Sequence, residues 1–204
     1  MIGVIDYGMG NLFSVCNGIK NLGFEVLVSN DPEQLSQCEK LVLPGVGAFG
    51  DMMENLHRQK LYDFIKKWVL VDQKPLLGIC LGMQSFFETS EEKGFHKGFG
   101  FLKGQIVWMK DQNVRVPHIG WNDLKMNGQH PIFDCLSSHP YVYYVHSYYA
   151  SHMDPEDMVG YCRYGTMTIP GLVMHKNVMG CQFHPEKSGE DGLKILRYYL
   201  EEFV

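Results

Sequence analysis

The sequence has 204 residues, of which 45% are hydrophobic and 20% are charged, and its formal net charge at pH 7 is −5. This length can bury one hydrophobic core without disulfides or a metal, so we predict a single domain over residues 1–204. The composition excludes the strongly basic surface that is typical of nucleic-acid or anionic-membrane binding. We therefore expect small molecules or proteins as partners.

The cysteines, the charged residues and the histidines narrow the class of protein further. The six cysteines include no CxxC pair, and the chain starts with a strand-like segment rather than a signal peptide, which predicts a cytoplasmic protein with reduced thiols. Charged residues interrupt the longest apolar stretch, so we predict no membrane-spanning segment. We predict neither a metal nor a cofactor, because the nine histidines show no metal-ligand spacing. His118 and His146 are isolated, which is typical of packing residues.

The first half of the sequence alternates strand and helix patterns. Such alternation predicts parallel strands joined by right-handed crossovers, hence an α/β fold with an open, mostly parallel twisted sheet and helices on both faces. Ligands then bind where the strands reach their carboxyl ends. The predicted elements are a strand over Ile2–Asp6, a helix over Leu12–Leu22, a strand over Phe24–Ser29, a short helix after Asp31, a strand over Lys40–Leu43, a long helix over Phe49–Val69 and a strand over Leu76–Ile79.

The second half has closely spaced strand-like segments, which predict an antiparallel extension of the sheet. A last helix is predicted to begin at Ser188, whose side chain is suited to capping it, and apolar residues recur along it at helical spacing. We find no repeat or linker that would mark a domain boundary. The strand-like segments are Gln105–Met109, Tyr141–Tyr149, Val159–Tyr164 and Gly171–His175.

Cys80 has the sequence surroundings of a nucleophile. It follows the apolar run Pro75–Ile79 and lies between Gly78 and Gly82, a pattern that predicts a strand turning sharply into a helix. The glycines keep side chains out of the turn, and a helix start directs amides and its positive dipole end at the sulfur, which favours the thiolate. The other five cysteines lack these surroundings and are typical of buried packing residues.

His184 and Glu186 would supply the base that activates Cys80 and the carboxylate that orients this base. They follow the predicted strand Val178–Phe183, and an extended backbone would place residues two apart on the same face. Glu186 would then orient the imidazole that activates the Cys80 thiol. Alone, His-Pro-Glu is equally consistent with a solvated turn. Together with the cysteine motif, it predicts a catalytic triad.

Two glycine-containing segments follow predicted strands at the carboxyl edge of the sheet. The backbone amides of Val46 or Gly47, together with the amide of Leu81, would form an oxyanion hole with two donors, although a plain tight turn is an equal alternative. Gly8-Met9-Gly10 suggests a dinucleotide fingerprint, but the third glycine of that fingerprint would fall at Phe13. The sequence therefore favours the oxyanion hole over a dinucleotide site.

Six segments together resemble class I glutamine amidotransferase domains, and the resemblance spans the whole chain. The cysteine and histidine motifs are shared across that superfamily. The Pro-Gly-Val-Gly and Gly-Trp-Asn motifs are more specific, and they resemble the glutaminase subunits of histidine biosynthesis. The six segments are Asp6–Asn11, Pro44–Gly50, Gly78–Gln84, Pro117–Asn122, Val145–Tyr148 and Gln182–Ser188.

The resemblance implies a glutaminase that uses Cys80, His184 and Glu186 to release ammonia from glutamine. It also implies a heterodimer with a TIM-barrel cyclase subunit, which would use the ammonia to form imidazole glycerol phosphate and an aminoimidazole carboxamide ribonucleotide. Free ammonia is mostly protonated at neutral pH, so we expect direct transfer between the subunits. The implied glutamine-binding residues are Gly45, Gln84, Glu92, His146, Ser147 and Tyr148, and the implied partner-facing residues are Asn11, Pro117, His118, Trp121 and Asn122.

The sequence departs from the family pattern at Ser85, where an apolar residue is common, and over Phe99–Gly104, where aromatic residues and Lys103 replace an aliphatic and proline run. These departures leave room for a paralogue that serves another synthase, for example one that amidinates a sugar. A stand-alone hydrolase or deglycase with an elbow cysteine is a second alternative, which the Phe-His-Pro-Glu motif opposes. A catalytically idle binding subunit is a third, which the intact triad opposes.

Overall fold

Fourteen strands and six α-helices make up the fold, which the computed structural model describes over residues 1–204. The longest helix has 13 residues, and no helix combines the length and the apolar character needed to cross a membrane. The helices are Leu12–Asn21 (α1), Pro32–Ser36 (α2), Phe49–Arg58 (α3), Leu61–Leu70 (α4), Leu81–Gln84 (α5) and Gly189–Glu201 (α6). The strands are Ile2–Ile5 (β1), Val26–Ser29 (β2), Lys40–Gly45 (β3), Leu76–Cys80 (β4), Thr89–Ser90 (β5), His96–Lys97 (β6), Gln105–Trp108 (β7), His118–Asp123 (β8), Lys125–Met126 (β9), Tyr141–His146 (β10), Tyr148–Ser151 (β11), Met158–Tyr164 (β12), Met167–His175 (β13) and Val178–Cys181 (β14).

The largest sheet has eight strands in the order β2-β1-β3-β4-β14-β13-β12-β9. Strands β2, β1, β3, β4 and β14 run parallel, and β13, β12 and β9 continue the sheet antiparallel. This order confirms the predicted α/β fold with a mostly parallel sheet. The register pairs Gly45 with Cys80 and Ile79 with Cys181, so β3, β4 and β14 end side by side.

Helices cover both faces of the central strands because those strands are apolar on both sides. On one face, Val4 and Val42 belong to a core that includes residues of α1 and α6. On the other face, Leu41 and Leu43 belong to a second core with residues of α3 and α4, among them the fully buried Trp68. The carboxyl edge of the sheet stays uncovered between these two layers.

The long helix predicted over Phe49–Val69 is wrong, because the structure has two helices there. Helix α3 ends at Arg58, and Lys60 adopts a left-handed conformation with a φ of 61° before α4 begins at Leu61. A left-handed residue cannot continue a right-handed helix, so the chain changes direction at this point. The apolar pattern did not reveal the break because both helices bury one face against the same core.

The antiparallel extension predicted for the second half is only partly right. Strands β12 and β13 extend the main sheet, but β7 and β11 form a four-stranded sheet with β5 and β6, and β8 and β10 form a separate two-stranded sheet. The single strand predicted over Tyr141–Tyr149 breaks at Ser147, and its two parts join different sheets. The break turns the chain at the edge where the parallel strands end.

Packing at Gly82 gives a test of this architecture. A Cβ atom at this position would collide with the carbonyl oxygen of Leu43, so we expect Gly82→Ala to lower the free energy of unfolding by more than about 3 kcal/mol. Gly128→Ala is the matched control, because Gly128 has a φ of +79° but open space around it. Its strain should cost only about 1–2 kcal/mol. Urea unfolding of both variants measures the two changes in the free energy of unfolding. Equal decreases would contradict the close contact between Gly82 and the Leu43 carbonyl.

Candidate active site

Cys80 lies at a sharp turn between β4 and α5. Its φ is 56° and its ψ is −110°, a conformation that is strained for a residue with a side chain. Gly78 and Gly82 allow this turn, since a Cβ at either position would collide with neighbouring backbone. The predicted elbow is therefore present, but the helix after it has only four residues. Its dipole is that of a single turn, so Cys80 relies more on its side-chain neighbours than the sequence suggested.

His184 and Glu186 form a buried pair beside this turn. His184 Nδ1 lies 2.8 Å from Glu186 Oε1, and the two side chains are 5% and 0% exposed. The extended backbone predicted for this segment is wrong, because Pro185–Lys187 forms a 3-10 turn. Ser188 is the N-cap residue of α6, as predicted, but its side chain makes no capping bond. Instead, Ser188 Oγ donates to the His184 carbonyl at 2.6 Å and accepts from the Tyr143 amide at 2.9 Å. Ser188 thus fixes the turn that carries the pair.

The neighbours of His184 determine its charge. Burial acts to lower the pKa of this imidazole, but interactions with the Cys80 sulfur and the Glu186 carboxylate outweigh it and raise the pKa to about 10. The hydrogen-bond contacts of Cys80 Sγ are long ones, to Val145 O and Gln182 Nε2 at 3.8 Å each. His184 therefore acts on the sulfur mainly through its proximity and its charge. A protonated imidazole beside a cysteine sulfur is the usual surrounding of a reactive cysteine.

A pocket of about 450 Å³ opens at the carboxyl edge of the sheet, in front of Cys80 and His184. Glu186 lies behind His184 and does not reach the pocket. The pocket contains most of the residues that the sequence predicted for the oxyanion hole and for glutamine binding. The predicted residues that line it are Val46, Gly47, Cys80, Leu81, Gln84, Glu92, Pro117, His146, Ser147, Tyr148 and His184.

Two of the predicted binding residues also hold the structure of the pocket. Gln84 Nε2 donates to the Tyr148 carbonyl at 2.9 Å, which ties α5 to β11. Glu92 Oε2 accepts from the Phe49 amide at 2.8 Å and so caps helix α3 from a distant loop. Gly45 differs from the prediction, because it packs against the turn after Cys80 and does not line the pocket.

The predicted partner-facing residues do not share one environment. Trp121 is 54% exposed, and Asn11 caps α1 by accepting from the Ser14 amide at 3.4 Å. His118 is only 3% exposed and pairs with His146, so the structure does not support its side chain as a contact for another protein. As predicted for packing residues, His118 and His146 are buried, and their rings are hydrogen-bonded to each other at 3.1 Å.

Sequence reasoning missed several residues around the nucleophile. Gln182 is fully buried and directs Nε2 at Cys80 Sγ, and its two-residue spacing from His184 was the available signal. Burial raises the pKa of Tyr7, whose buried hydroxyl has no hydrogen-bond partner. The pocket lining is completed by three residues to which no sequence pattern pointed, namely Lys93, Trp108 and Val145.

The departures from the family pattern lie outside the pocket. Ser85 is fully buried, and its Oγ donates to the Gly82 carbonyl at 2.7 Å. The rings of Phe99 and Phe101 stack at 5.0 Å, and Phe99 stacks in turn on Tyr62 of α4 at 5.0 Å. These residues support the turn and the second core, so they do not alter the chemistry of the site.

With this geometry, sequence comparison defines the class of protein. The family described as glutamine amidotransferase class-I matches residues 3–202. The chain therefore belongs to the class-I glutamine amidotransferase family, whose enzymes use a cysteine nucleophile. A crystal structure of a glutamine amidotransferase is 20% identical with a TM-score of 0.76, covering 98% of this chain and 97% of the other. PurLQS from Thermotoga maritima is 22% identical with a TM-score of 0.73, covering 98% and 96%. These two structures are similar in fold.

Curated relatives place the chain within this class. It is 44% identical to the imidazole glycerol phosphate synthase subunit HisH of Sulfurimonas denitrificans, over 98% of both chains. It is 47% identical to the HisH subunit of Bacillus velezensis and 44% identical to that of Bacillus subtilis, each over 98% of this chain and 96% of the relative. Within the class, the chain belongs to the family of HisH subunits.

The environment of the thiols predicts selective labelling. We expect a glutamine-mimicking electrophile to modify Cys80 first at neutral pH, because burial raises the pKa of every other thiol, that of Cys162 to about 12. Cys135 is an internal control, since it is exposed but has no paired base. Peptide mapping by mass spectrometry checks the site, and preferential labelling of Cys135 would contradict the assignment.

Proposed function

We propose that this chain hydrolyses glutamine to glutamate and ammonia through a triad of Cys80, His184 and Glu186. One observation carries the proposal: an imidazole paired with a buried carboxylate shares a pocket with a cysteine held at a strand-to-helix turn. A nucleophile, a base and a group that orients the base are the components of nucleophilic acyl transfer. The family to which the chain belongs supplies the substrate class, a carboxamide side chain.

The reaction proceeds in two halves on the sulfur. The Cys80 thiolate attacks the side-chain amide carbon of glutamine, and the carbonyl electron pair moves onto oxygen, where the amides of Leu81 and of Val46 or Gly47 stabilise it. His184 gives its proton to the nitrogen, so the C–N bond breaks and ammonia leaves a glutamyl thioester. Water then gives a proton to His184 and attacks the thioester carbon, which releases glutamate and the thiolate.

The remainder of the pocket suits the zwitterionic end of glutamine. Glu92 and Lys93 carry opposite charges on the pocket wall, which match the α-ammonium and α-carboxylate groups. The Gln84 amide uses its nitrogen for Tyr148 and Gln182, which leaves its oxygen as an acceptor. We propose that Ser147 and Tyr148 complete the contacts that bind the substrate.

A partner subunit is the proposed destination of the ammonia. The chain's relatives are named as subunits of imidazole glycerol phosphate synthase. The two-stranded sheet of β8 and β10 presents exposed apolar side chains beside the pocket, and Val145 both belongs to this surface and lines the pocket. Exposed apolar patches of this kind mark protein interaction sites. We name it the ribbon face, and it consists of Ile119, Trp121, Tyr141 and Val145.

We propose that the partner is a TIM-barrel cyclase that docks on the ribbon face and forms imidazole glycerol phosphate and an aminoimidazole carboxamide ribonucleotide in histidine biosynthesis. Docking over the mouth of the pocket would let ammonia pass to the acceptor before it is protonated by solvent. The six unpaired cysteines suit a reducing cytoplasm, which is the proposed location.

Division of labour between the subunits is testable with Cys80→Ala. In the complex, we expect this variant to lose glutamine-dependent synthesis by at least about a thousandfold, since it lacks the nucleophile. Synthesis from added ammonium salts should be unchanged, because the acceptor chemistry does not need the thiol. Cys135→Ala is the matched control and should retain both activities. Loss of ammonia-dependent turnover in an assembled Cys80→Ala complex would contradict the two-site scheme.

Glutaminase activity should depend on the partner. Val46 lies between Gly45 and Gly47, and Gly47 has a φ of 93°, so the peptide before Gly47 can turn its amide toward the oxyanion or away from it at modest cost. Losing one oxyanion donor lowers turnover by about a hundredfold or more, so we expect slight activity from the chain alone and a rise of that order with the cyclase and its nucleotide ligand. Glutamate release measured in both conditions checks this, and equal rates would contradict it.

The same assay tests the ribbon face. Trp121→Ala should weaken the stimulation by raising the partner concentration that half-saturates it, because a large exposed aromatic residue is suited to anchoring an interface. Val71→Ala is the matched control, since Val71 is 71% exposed but lies after α4 at the opposite end of the sheet. An unchanged titration with Trp121→Ala would remove this residue from the interface.

A further inference from the structure

Two buried histidines outside the triad, His146 at the pocket wall and His118 on the strand that carries Trp121, lie next to each other. His118 on β8 and His146 on β10 are paired across the two-stranded sheet and are 3% and 6% exposed. The ring of His118 is stacked between those of Tyr144 and Tyr164, with centroid distances of 4.8 and 3.9 Å. The proposed hydrolysis uses neither imidazole to move a proton, so this buried pair has no role in the steps described above.

The partners of the two imidazoles decide where their hydrogens lie. A neutral imidazole has one N–H and one lone pair. His146 Nδ1 is 2.9 Å from the Tyr148 carbonyl oxygen, which can only accept, so Nδ1 donates and Nε2 accepts. His118 Nδ1 is 3.1 Å from that Nε2 and must donate to it. His118 Nε2 then accepts from the Asn122 amide at 3.4 Å, so all three bonds run from Asn122 toward Tyr148.

Both rings are neutral at neutral pH. Burial lowers the pKa of His118 to about 4. Burial also lowers the pKa of His146 to about 3, and it outweighs the hydrogen bond to the Tyr148 carbonyl, which acts to raise that pKa. A proton added to His146 would set two N–H groups against each other across the 3.1 Å contact with His118, and a proton added to His118 would do so across the 3.4 Å contact with Asn122. The direction of the hydrogen bonds is therefore fixed by chemistry and not only by packing.

The chain of hydrogen bonds continues from Tyr148 to the nucleophile. The Tyr148 carbonyl also accepts from Gln84 Nε2 at 2.9 Å, which sets the orientation of that amide. A flipped Gln84 amide is excluded, because it would place its oxygen against the Tyr148 oxygen. Gln84 Nε2 donates its second hydrogen to Gln182 Oε1 at 3.0 Å. This contact turns Gln182 Nε2 toward Cys80 Sγ, at 3.8 Å.

We propose that His118 and His146 are positioning residues that fix the Gln84 and Gln182 amides and thereby keep an N–H directed at the Cys80 sulfur. The N–H supports the thiolate, and Asn122 ties this arrangement to the strand on which Trp121 is exposed. The consequence for turnover rests on the proposed glutaminase function. The consequence for the reactivity of the thiol does not, because it needs no substrate.

Two substitutions at one position separate positioning from packing. His118→Phe keeps a flat ring between Tyr144 and Tyr164 but removes the donor to His146. His118→Asn carries an amide donor as far from the backbone as Nδ1. We expect His118→Phe to slow alkylation of Cys80 by iodoacetamide and to lower kcat for glutamine by about tenfold each, a change worth about 1.4 kcal/mol. His118→Asn should recover both rates to within about threefold of the original protein.

His175→Phe is the matched control, because it removes an imidazole partner of the buried Asp157 at a distant site and should leave both rates unchanged. If His118→Phe does not fold, Asn122→Asp replaces the donor to His118 with an acceptor at a partly exposed position, and it should slow the alkylation in the same way. A folded His118→Phe that alkylates at the original rate would overturn the proposal. Equal losses in His118→Phe and His118→Asn would also overturn it. Slower alkylation in a protein that hydrolyses no glutamine would refute the proposed function and leave this inference standing.

Discussion

The site depends on one close approach of two backbones, where the turn after β4 meets the end of β3. Gly82 lies against the Leu43 carbonyl, and Gly45 in turn lies against the Gly82 amide. This contact holds Cys80 at a positive φ, a conformation that costs about 1–3 kcal/mol and persists only where the surroundings over-determine it. Pairing of β4 with β3 on one side and β14 on the other supplies that constraint. The nucleophile is thus positioned by the central strands of the sheet.

Three histidines around the pocket differ in charge because their hydrogen-bond partners differ. His184 is as buried as its neighbours, but the Glu186 carboxylate and the Cys80 sulfur raise its pKa to about 10. His118 and His146 have a carbonyl, an amide and each other as partners, and burial lowers the pKa of both. A cation therefore lies beside the sulfur, while the paired histidines His118 and His146 stay neutral.

The sequence was sufficient for features that depend on local spacing. The glycines around Cys80 predicted the elbow, and the two-residue spacing of His184 and Glu186 predicted their pairing, although a 3-10 turn and not an extended backbone produces it. Features that depend on tertiary context were missed. Lysine has no preference for the left-handed conformation that splits α3 from α4 at Lys60. The pairing of His118 with His146 depends on a strand register between segments that are far apart in the chain, and no local pattern encodes it.

The two-stranded sheet beneath the ribbon face has a consequence for self-association of the protein. Strand β8 pairs with β10 alone, so its outer edge offers unpaired backbone groups next to exposed Ile119 and Trp121. Natural sheets usually protect such edges with charged residues or proline, because an apolar edge strand is a template for pairing with other chains. Ile119 and Trp121 give no such protection. Left uncovered, this apolar edge would make the chain prone to self-association.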